Sequence, residues 1–355
     1  MPEKRFFTVC ATNAEKAEAQ PVIQKRRKQG MRNPKAKKIV SLIIILALTV
    51  SCMLQASGAG EKELSVVTTI FPLYDWTREV TLGSDQVQLT LLLNSGVDLH
   101  SYQPSAADIM KIAACDVFIC VGGESDKWVE DALQEAVNPG MTVIRMTEAM
   151  GEDIRMEEIA EGMEQEDHAG TDEKQEPEAD EHVWLSLRNA RKLTAAIADA
   201  LGRADPAHAE SYQANAAAYA EKLSALDQEY SQAVSEAAFR TLLFGDRFPF
   251  RYLVDDYGLS YYAAFSGCSA ETEASFETIV FLAQKLDELK LPAVLTIDGA
   301  NRRIAETIIH ATAAKNQKLL TLNSMQGCTL RDAEAGVTYL SVMQDNLEVL
   351  KQALN

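Results

Sequence analysis

Cysteine, histidine and basic residues are all scarce in this chain, and each scarcity closes off a class of protein. Six cysteines in 355 residues are too few for a scaffold held together by disulfides. There are five histidines and no His-Glu-x-x-His pair. There is no nucleophile elbow either, so the usual signatures of a zinc hydrolase or a serine hydrolase are missing. Lys and Arg number 34 against 52 Asp and Glu, a formal net charge of −18, which argues against nucleic acid as a partner. Long apolar runs are absent too. Residues 39–50 are almost wholly apolar but too short to cross a bilayer comfortably as a permanent helix.

That short run carries other information. Lys35, Lys37 and Lys38 precede it and small residues follow it, the layout of a secretory signal. Leu48-Thr49-Val50-Ser51-Cys52 resembles a bacterial lipobox, in which the cysteine is acylated and becomes the new N-terminus. Thr49 stands where a leucine is usual. Cys52 is therefore the expected lipidation site, with residues 52–63 as a tether and residues 1–51 as a non-mature leader. The polar stretch 1–30 ahead of the signal is unusual, and Met31 is the expected initiator. Residues 52–355 hold 23 basic against 49 acidic residues, a net of −26; such a surface attracts cations, although acidity alone also serves solubility.

The mature sequence alternates β-branched runs with helical periods. Strands are predicted at 64–70, 87–93, 117–121 and 141–146, with helices at 74–82, 105–114 and 128–136. Ser105 is the expected N-cap of the second helix, with Asp108 at its third position. Residues 151–181 contain 14 Asp/Glu, two basic residues and His168. With little to bury, this segment reads as a mobile loop. After a helix at 185–201, Asp205-Pro206 opens a long helix over 207–239. In it Tyr212, Ala216, Tyr219, Leu223, Leu226 and Tyr230 form one apolar stripe. Four more strands and four helices follow. The predicted fold is α/β: two (β/α) lobes with mainly parallel sheets, residues 64–204 and 240–355, joined by one long backbone helix within 205–239.

The few histidines can be weighed one by one. His100, in Asp98-Leu99-His100-Ser101-Tyr102-Gln103-Pro104, follows a strand at the edge where open α/β sheets bind ligands. His182, in Asp180-Glu181-His182-Val183-Trp184, stands where the acidic loop rejoins ordered structure. Imidazole is the commonest metal ligand at neutral pH, yet either residue alone also reads as an ordinary surface or satisfied histidine. His168 and its carboxylates could hold a cation loosely or simply be solvated. His208 reads as solvated and His310 as structural. Cys115 and Cys120 flank a strand as small hydrophobes. Cys268 and Cys328 could form a disulfide in an exported protein, but sequence does not fix connectivity.

Together these segments resemble the metal-receptor cluster of solute-binding proteins that serve zinc and manganese ABC transporters, over about residues 66–350. His100-Ser101-Tyr102-Gln103-Pro104-Ser105 is similar to the family's His-x-Tyr-x-Pro-[Ser/Thr] motif, and His182-Val183-Trp184-Leu185-Ser186 to its second histidine motif. Tyr212–Ala216 and Leu223–Asp227 resemble its backbone helix, and the acidic segment sits where the zinc branch has a His-containing loop. The resemblance implies that His100 and His182 are metal ligands. The family's third ligand, His or Glu, precedes Phe-x-Tyr; here that position is Arg247, which cannot ligate. Asp246 is the candidate beside it, equally readable as a salt-bridge partner of Arg247 or Arg251. Asp298 is the candidate fourth ligand. Two imidazoles and two carboxylates suit Zn²⁺, Mn²⁺ or Fe²⁺, and the acidic loop favours Zn²⁺.

The function this implies is capture of Zn²⁺, or alternatively Mn²⁺, between the lobes and delivery to an ABC permease. The protein would be a monomer, lipid-anchored on the extracytoplasmic face of the cell membrane, with no enzymatic activity. Two other readings stay open: a surface adhesion lipoprotein whose metal is structural, and a zinc hydrolase with an open metal site.

Overall fold

The computed structural model describes residues 63–164, 178–269 and 273–355. Cys10, Cys52 and His168 lie outside them. Two four-stranded sheets organise the chain, and every strand pair is parallel. The first has the order β2-β1-β3-β4, with β1 Leu64–Thr68, β2 Val87–Leu91, β3 Val117–Cys120 and β4 Thr142–Arg145. The second has the order β6-β5-β7-β8, with β5 Thr241–Phe248, β6 Ser260–Ser266, β7 Ala293–Ile297 and β8 Lys318–Leu322. Central strands covered on both faces must be apolar throughout. Accordingly, β3 and β7 are buried at every residue. This is the two-lobed α/β fold expected from the sequence, with the sheets wholly rather than mainly parallel.

The helices follow the predicted alternation. In the first lobe they are α1 Phe71–Val80, α2 Ala106–Ala114, α3 Trp128–Gln134, α4 Met146–Met150 and α5 Leu187–Ala204. Ser105 caps α2 in a reciprocal capping box with Asp108. The five-residue α4 was not foreseen. The long helix α6 spans Ala209–Glu236, about 42 Å at 1.5 Å per residue. Its predicted stripe is the face it buries, with Val234 extending it. Asp205, just ahead of α6, accepts hydrogen bonds from Tyr212 Oη and His208 Nδ1, both at 2.7 Å. His208 is thus paired rather than simply solvated. The second lobe adds α7 Arg251–Tyr257, α8 Phe276–Leu289, α9 Arg303–Ala311, α10 Leu330–Glu334 and α11 Tyr339–Ala353. His310 ends α9 exposed to solvent rather than packed.

Helix α11 packs back against α1 and α6, so α6 is not the only tie between the lobes. Tyr230 Oη on α6 donates to Met343 O (2.6 Å), and Tyr339 Oη donates to Trp184 O (2.7 Å). Trp184, wholly buried, donates its indole N–H to Ser324 O beyond β8 (2.8 Å).

Both flanks of the acidic segment are hydrogen-bonded to the rest of the molecule, while residues 165–177, in the middle of the expected mobile loop, lie outside the described residues. Met156 and Ala179 form an antiparallel bridge. Arg155 N donates to Tyr252 Oη (3.0 Å), which in turn donates to Asp180 O (2.8 Å). Glu164 N donates to Ala264 O (2.9 Å). Polar backbone groups fasten this stretch, a source of order that a count of apolar side chains misses. No helix among the described residues is long and apolar enough to cross a membrane.

Asp75 on α1 offers a test of this packing. Its carboxylate is wholly buried, accepts from Tyr339 N (2.8 Å) at the start of α11 and pairs with Arg78. Burial still raises its pKa to about 6, against the opposing pull of the Tyr339 N–H and the Arg78 charge. The ordinary unfolded value is about 3.9, so the folded state holds the extra proton. The stability this group contributes is full below about pH 4 and is lost as pH rises through about 6. Asp75→Asn keeps an acceptor and removes the charge. In urea unfolding at about pH 8 it should exceed wild type by on the order of 1–3 kcal/mol, and the gap should close as pH falls toward about 4. A variant less stable than wild type at pH 8 would mean that the Arg78 pair outweighs the burial.

Candidate metal centre

Four described residues form a group able to hold a metal ion: His100, Glu181, His182 and Cys268. One ligand atom from each lies within 4.8 Å of all the others. His100 follows β2 and Cys268 follows β6, at the carboxyl edge where open parallel sheets bind ligands, while Glu181 and His182 lie just ahead of α5.

His100 sits in a single 3₁₀ turn, Leu99–Ser101. Leu99 is buried beneath it, and Asp98 Oδ1 caps the turn by accepting from His100 N (3.0 Å). His182 is wholly buried. Its backbone N and its Nδ1 both reach Asp180 Oδ1 at 2.9 Å. His100 Nδ1 faces Ser125 Oγ (2.7 Å) and Glu181 Oε1 (3.2 Å). With both Nδ1 atoms donating to these oxygens, the two Nε2 atoms face inward, 3.2 Å apart. Carboxylates behind ligating imidazoles fix tautomer and ring orientation in this way.

Two ring nitrogens at that distance need a proton or a cation between them. The surroundings favour positive charge. Burial lowers the His182 pKa, but hydrogen bonding to Asp180 and the charges of Asp180, Glu181 and Glu157 outweigh it and hold the value above the ordinary one. Burial raises the Glu181 pKa; hydrogen bonds from His100 and Ser125 and the charges of both histidines overcome this and bring it down to about 2. Glu181 is therefore an anion with no exposed surface. The spacing also suits a metal. Two nitrogens on one tetrahedral Zn²⁺ at 2.0–2.1 Å would be about 3.3 Å apart.

Two glycines make room for this cluster. A Cβ at Gly267 would sit 2.9 Å from His182 Cε1 and 3.0 Å from Phe248 O. At Gly123 it would overlap the Glu181 carboxylate.

The structure brings His100 and His182 together but leaves Asp246 and Asp298 out of the group. Strand β5 is irregular between Phe244 and Arg247. Asp246 repairs the gap there, accepting from Ile297 N (3.0 Å) and Arg247 N (2.8 Å). Asp298 accepts from the backbone N and the hydroxyl of Ser324 and so fixes the loop after β8. Arg247, at the family's third-ligand position, turns its guanidinium to Asp98 at 2.6 Å. Gln326, from the same loop after β8, fits with its amide nitrogen on the Asp98 oxygens (3.2 and 2.9 Å) and its oxygen 3.3 Å from His182 Nε2.

The Cys268–Cys328 disulfide does not form; both thiols are free. The two residues follow β6 and β8, the opposite edges of one sheet. Cys268 Sγ lies instead 3.8 Å from Glu181 Oε1, and its backbone N donates to Glu157 (3.0 Å). Burial and the charges of Glu181, Glu157 and Asp180 push its thiol pKa far up. Glu181 and Cys268 are the cluster members that the sequence reading passed over. Glu181 was adjacent to a chosen histidine, and Gly267-Cys268 after a strand was a legible sign of a close turn.

Known proteins resemble this chain over most of its length. The zinc-binding lipoprotein AdcA of Streptococcus pneumoniae is 33% identical over 320 residues, which cover 89% of this chain and 61% of the relative. The chain thus spans less than two thirds of that relative's length. The high-affinity zinc uptake system protein ZnuA of Bacillus subtilis is 28% identical, over 84% of this chain and 90% of that protein. The crystal structure of the Zn(II)-bound ZnuA-like domain of Streptococcus pneumoniae AdcA superposes with a TM-score of 0.64 at 30% identity, covering 82% of this chain and 99% of that one. The family model described as zinc-uptake complex component A, periplasmic, matches residues 66–353, and the chain belongs to that ZnuA family.

Proposed function

We propose that this chain is the extracytoplasmic receptor of an ABC importer, which captures Zn²⁺ at the His100–His182 pair and delivers it to a membrane permease. The observation that carries this reading is the 3.2 Å approach of the two Nε2 atoms, each ring held from behind by a buried carboxylate. The zinc named in the descriptions of the relatives supports the choice of ion. The lipobox-like Cys52 supports attachment to the outer face of the membrane, and an acidic exterior supports cation capture. In this reading the protein binds and releases its cargo without chemical change, and its partner is the permease.

Isothermal titration of the purified chain with Zn²⁺ tests this. One ion per chain is expected. His100→Ala and His182→Ala should each weaken binding by at least on the order of 100-fold, since loss of even an outer partner of a ligand costs about 10–100-fold. Unchanged affinity in both variants would sink the proposal.

A second measurement separates the two aspartates from the ligands. Asp246→Ala strands the buried Ile297 N–H and should cost roughly 2–4 kcal/mol of unfolding free energy. Zn²⁺ affinity of the folded variant should stay within about threefold of wild type, below the loss expected even for an outer partner of a ligand. A 100-fold loss of affinity would make Asp246 a ligand after all.

A further inference from the structure

We infer that Cys268 is a metal ligand, and that its thiolate, with the Nε2 atoms of His100 and His182, makes a sulfur-containing site that selects borderline-soft divalent ions such as Zn²⁺, Co²⁺ and Cd²⁺ over Mn²⁺. The inference rests on the capture reading above and adds the identity of a third ligand.

Three independent features place the sulfur there. The first is the backbone: Gly267 lets the chain turn against the His182 ring, where any side chain would collide, and Glu157 holds Cys268 N at 3.0 Å. The second is spacing. Sulfur at 2.3 Å and nitrogen at 2.0–2.1 Å on one tetrahedral zinc lie about 3.6 Å apart, and ligand atoms of Cys268, His100 and His182 all lie within 4.8 Å of one another. The third is that the arginine and the two aspartates at the other candidate positions are engaged elsewhere. Arg247 is committed to Asp98, and Asp246 and Asp298 are committed to backbone N–H groups.

Charge agrees with this assignment. A thiolate sets one negative charge directly against a divalent cation in a buried pocket, where an unpaired charge is penalised heavily. Thiolate favours zinc-like ions, whereas manganese prefers oxygen donors.

Cobalt(II) titration of the full chain reads the sulfur directly. Wild type should show the near-ultraviolet sulfur-to-cobalt charge-transfer band together with strong visible bands of tetrahedral Co²⁺. Cys268→Ser should lose the charge-transfer band and keep weaker visible bands. Cys328→Ser, which alters a thiol outside the group, should keep both. In Cys268→Ser the Zn²⁺-over-Mn²⁺ affinity ratio should fall by at least on the order of tenfold, the lower end of what an outer-partner loss costs.

The outcomes separate the two proposals. Co²⁺ binding to wild type without the charge-transfer band, or a band that survives in Cys268→Ser, overturns the thiolate and leaves the histidine pair standing. Absence of any Co²⁺ or Zn²⁺ binding overturns the capture reading itself. Should Cys268→Ser fail to fold, alkylation of the wild-type chain decides. Mass spectrometry should find Cys268 protected from iodoacetamide by Zn²⁺ and labelled without it; equal labelling would rule the ligand out.

Discussion

Everything at this site depends on holding two imidazole nitrogens 3.2 Å apart in a buried place. Left to themselves, two neutral rings gain nothing from that contact, and burying them costs hydration. The chain meets the cost with anions. Asp180 takes both the backbone N–H and the Nδ1 of His182, and Glu181 with Ser125 takes the Nδ1 of His100. The Asp180-Glu181-His182 triplet is therefore one device: its first residue orients its third, and its second orients the partner histidine 82 positions away. The surplus of negative charge this creates is what makes the pocket favourable to a cation.

The motif is also tied into the rest of the fold. Trp184, two residues on, reaches Ser324 in the other lobe with its indole N–H, and Tyr339 holds the Trp184 carbonyl. Ser324 in turn is fixed by Asp298. In the same loop Met325 is buried at a φ of 62°, an uncommon conformation for a residue with a side chain, and its N–H is held by Asn323 Oδ1 at 2.7 Å. Sequence similarity marked Asp298 as a ligand. The structure gives it the work of shaping the loop that carries Gln326 toward His182.

This pattern shows what could be read from the chain. The alternation of strands and helices, the α6 stripe and the α2 cap are local or periodic, so spacing alone revealed them. His100 and His182 were legible because each lies in a local motif. Asp246 and Asp298 fall outside the group, since a carboxylate on the right stretch of chain serves a backbone N–H as readily as a metal. Sequence position does not say where the side chain turns. The bulge in β5 decides it for Asp246. Cys268 failed to stand out because its partners are 86 and more positions away. The flanks of the acidic segment are held by backbone hydrogen bonds to Tyr252, Asp180 and Ala264, which composition cannot display.

Arg247 shows how a positive charge near the candidate site is absorbed by its neighbours. A guanidinium is always charged, and an unpaired one close to a divalent ion would repel it by several kcal/mol, roughly 4 kcal/mol per unit charge pair at 4 Å and an effective dielectric of 20. Asp98 removes that penalty. Burial pushes its pKa up, but the Arg247 hydrogen bond and charge more than reverse this, so it stays below the ordinary value and the pair stays ionised. The same carboxylate caps the turn that carries His100. Asp98 thus links the backbone of the His100 turn to a strand of the opposite lobe. An arginine that cannot bind a metal is in this way accommodated beside the candidate site as half of an ion pair.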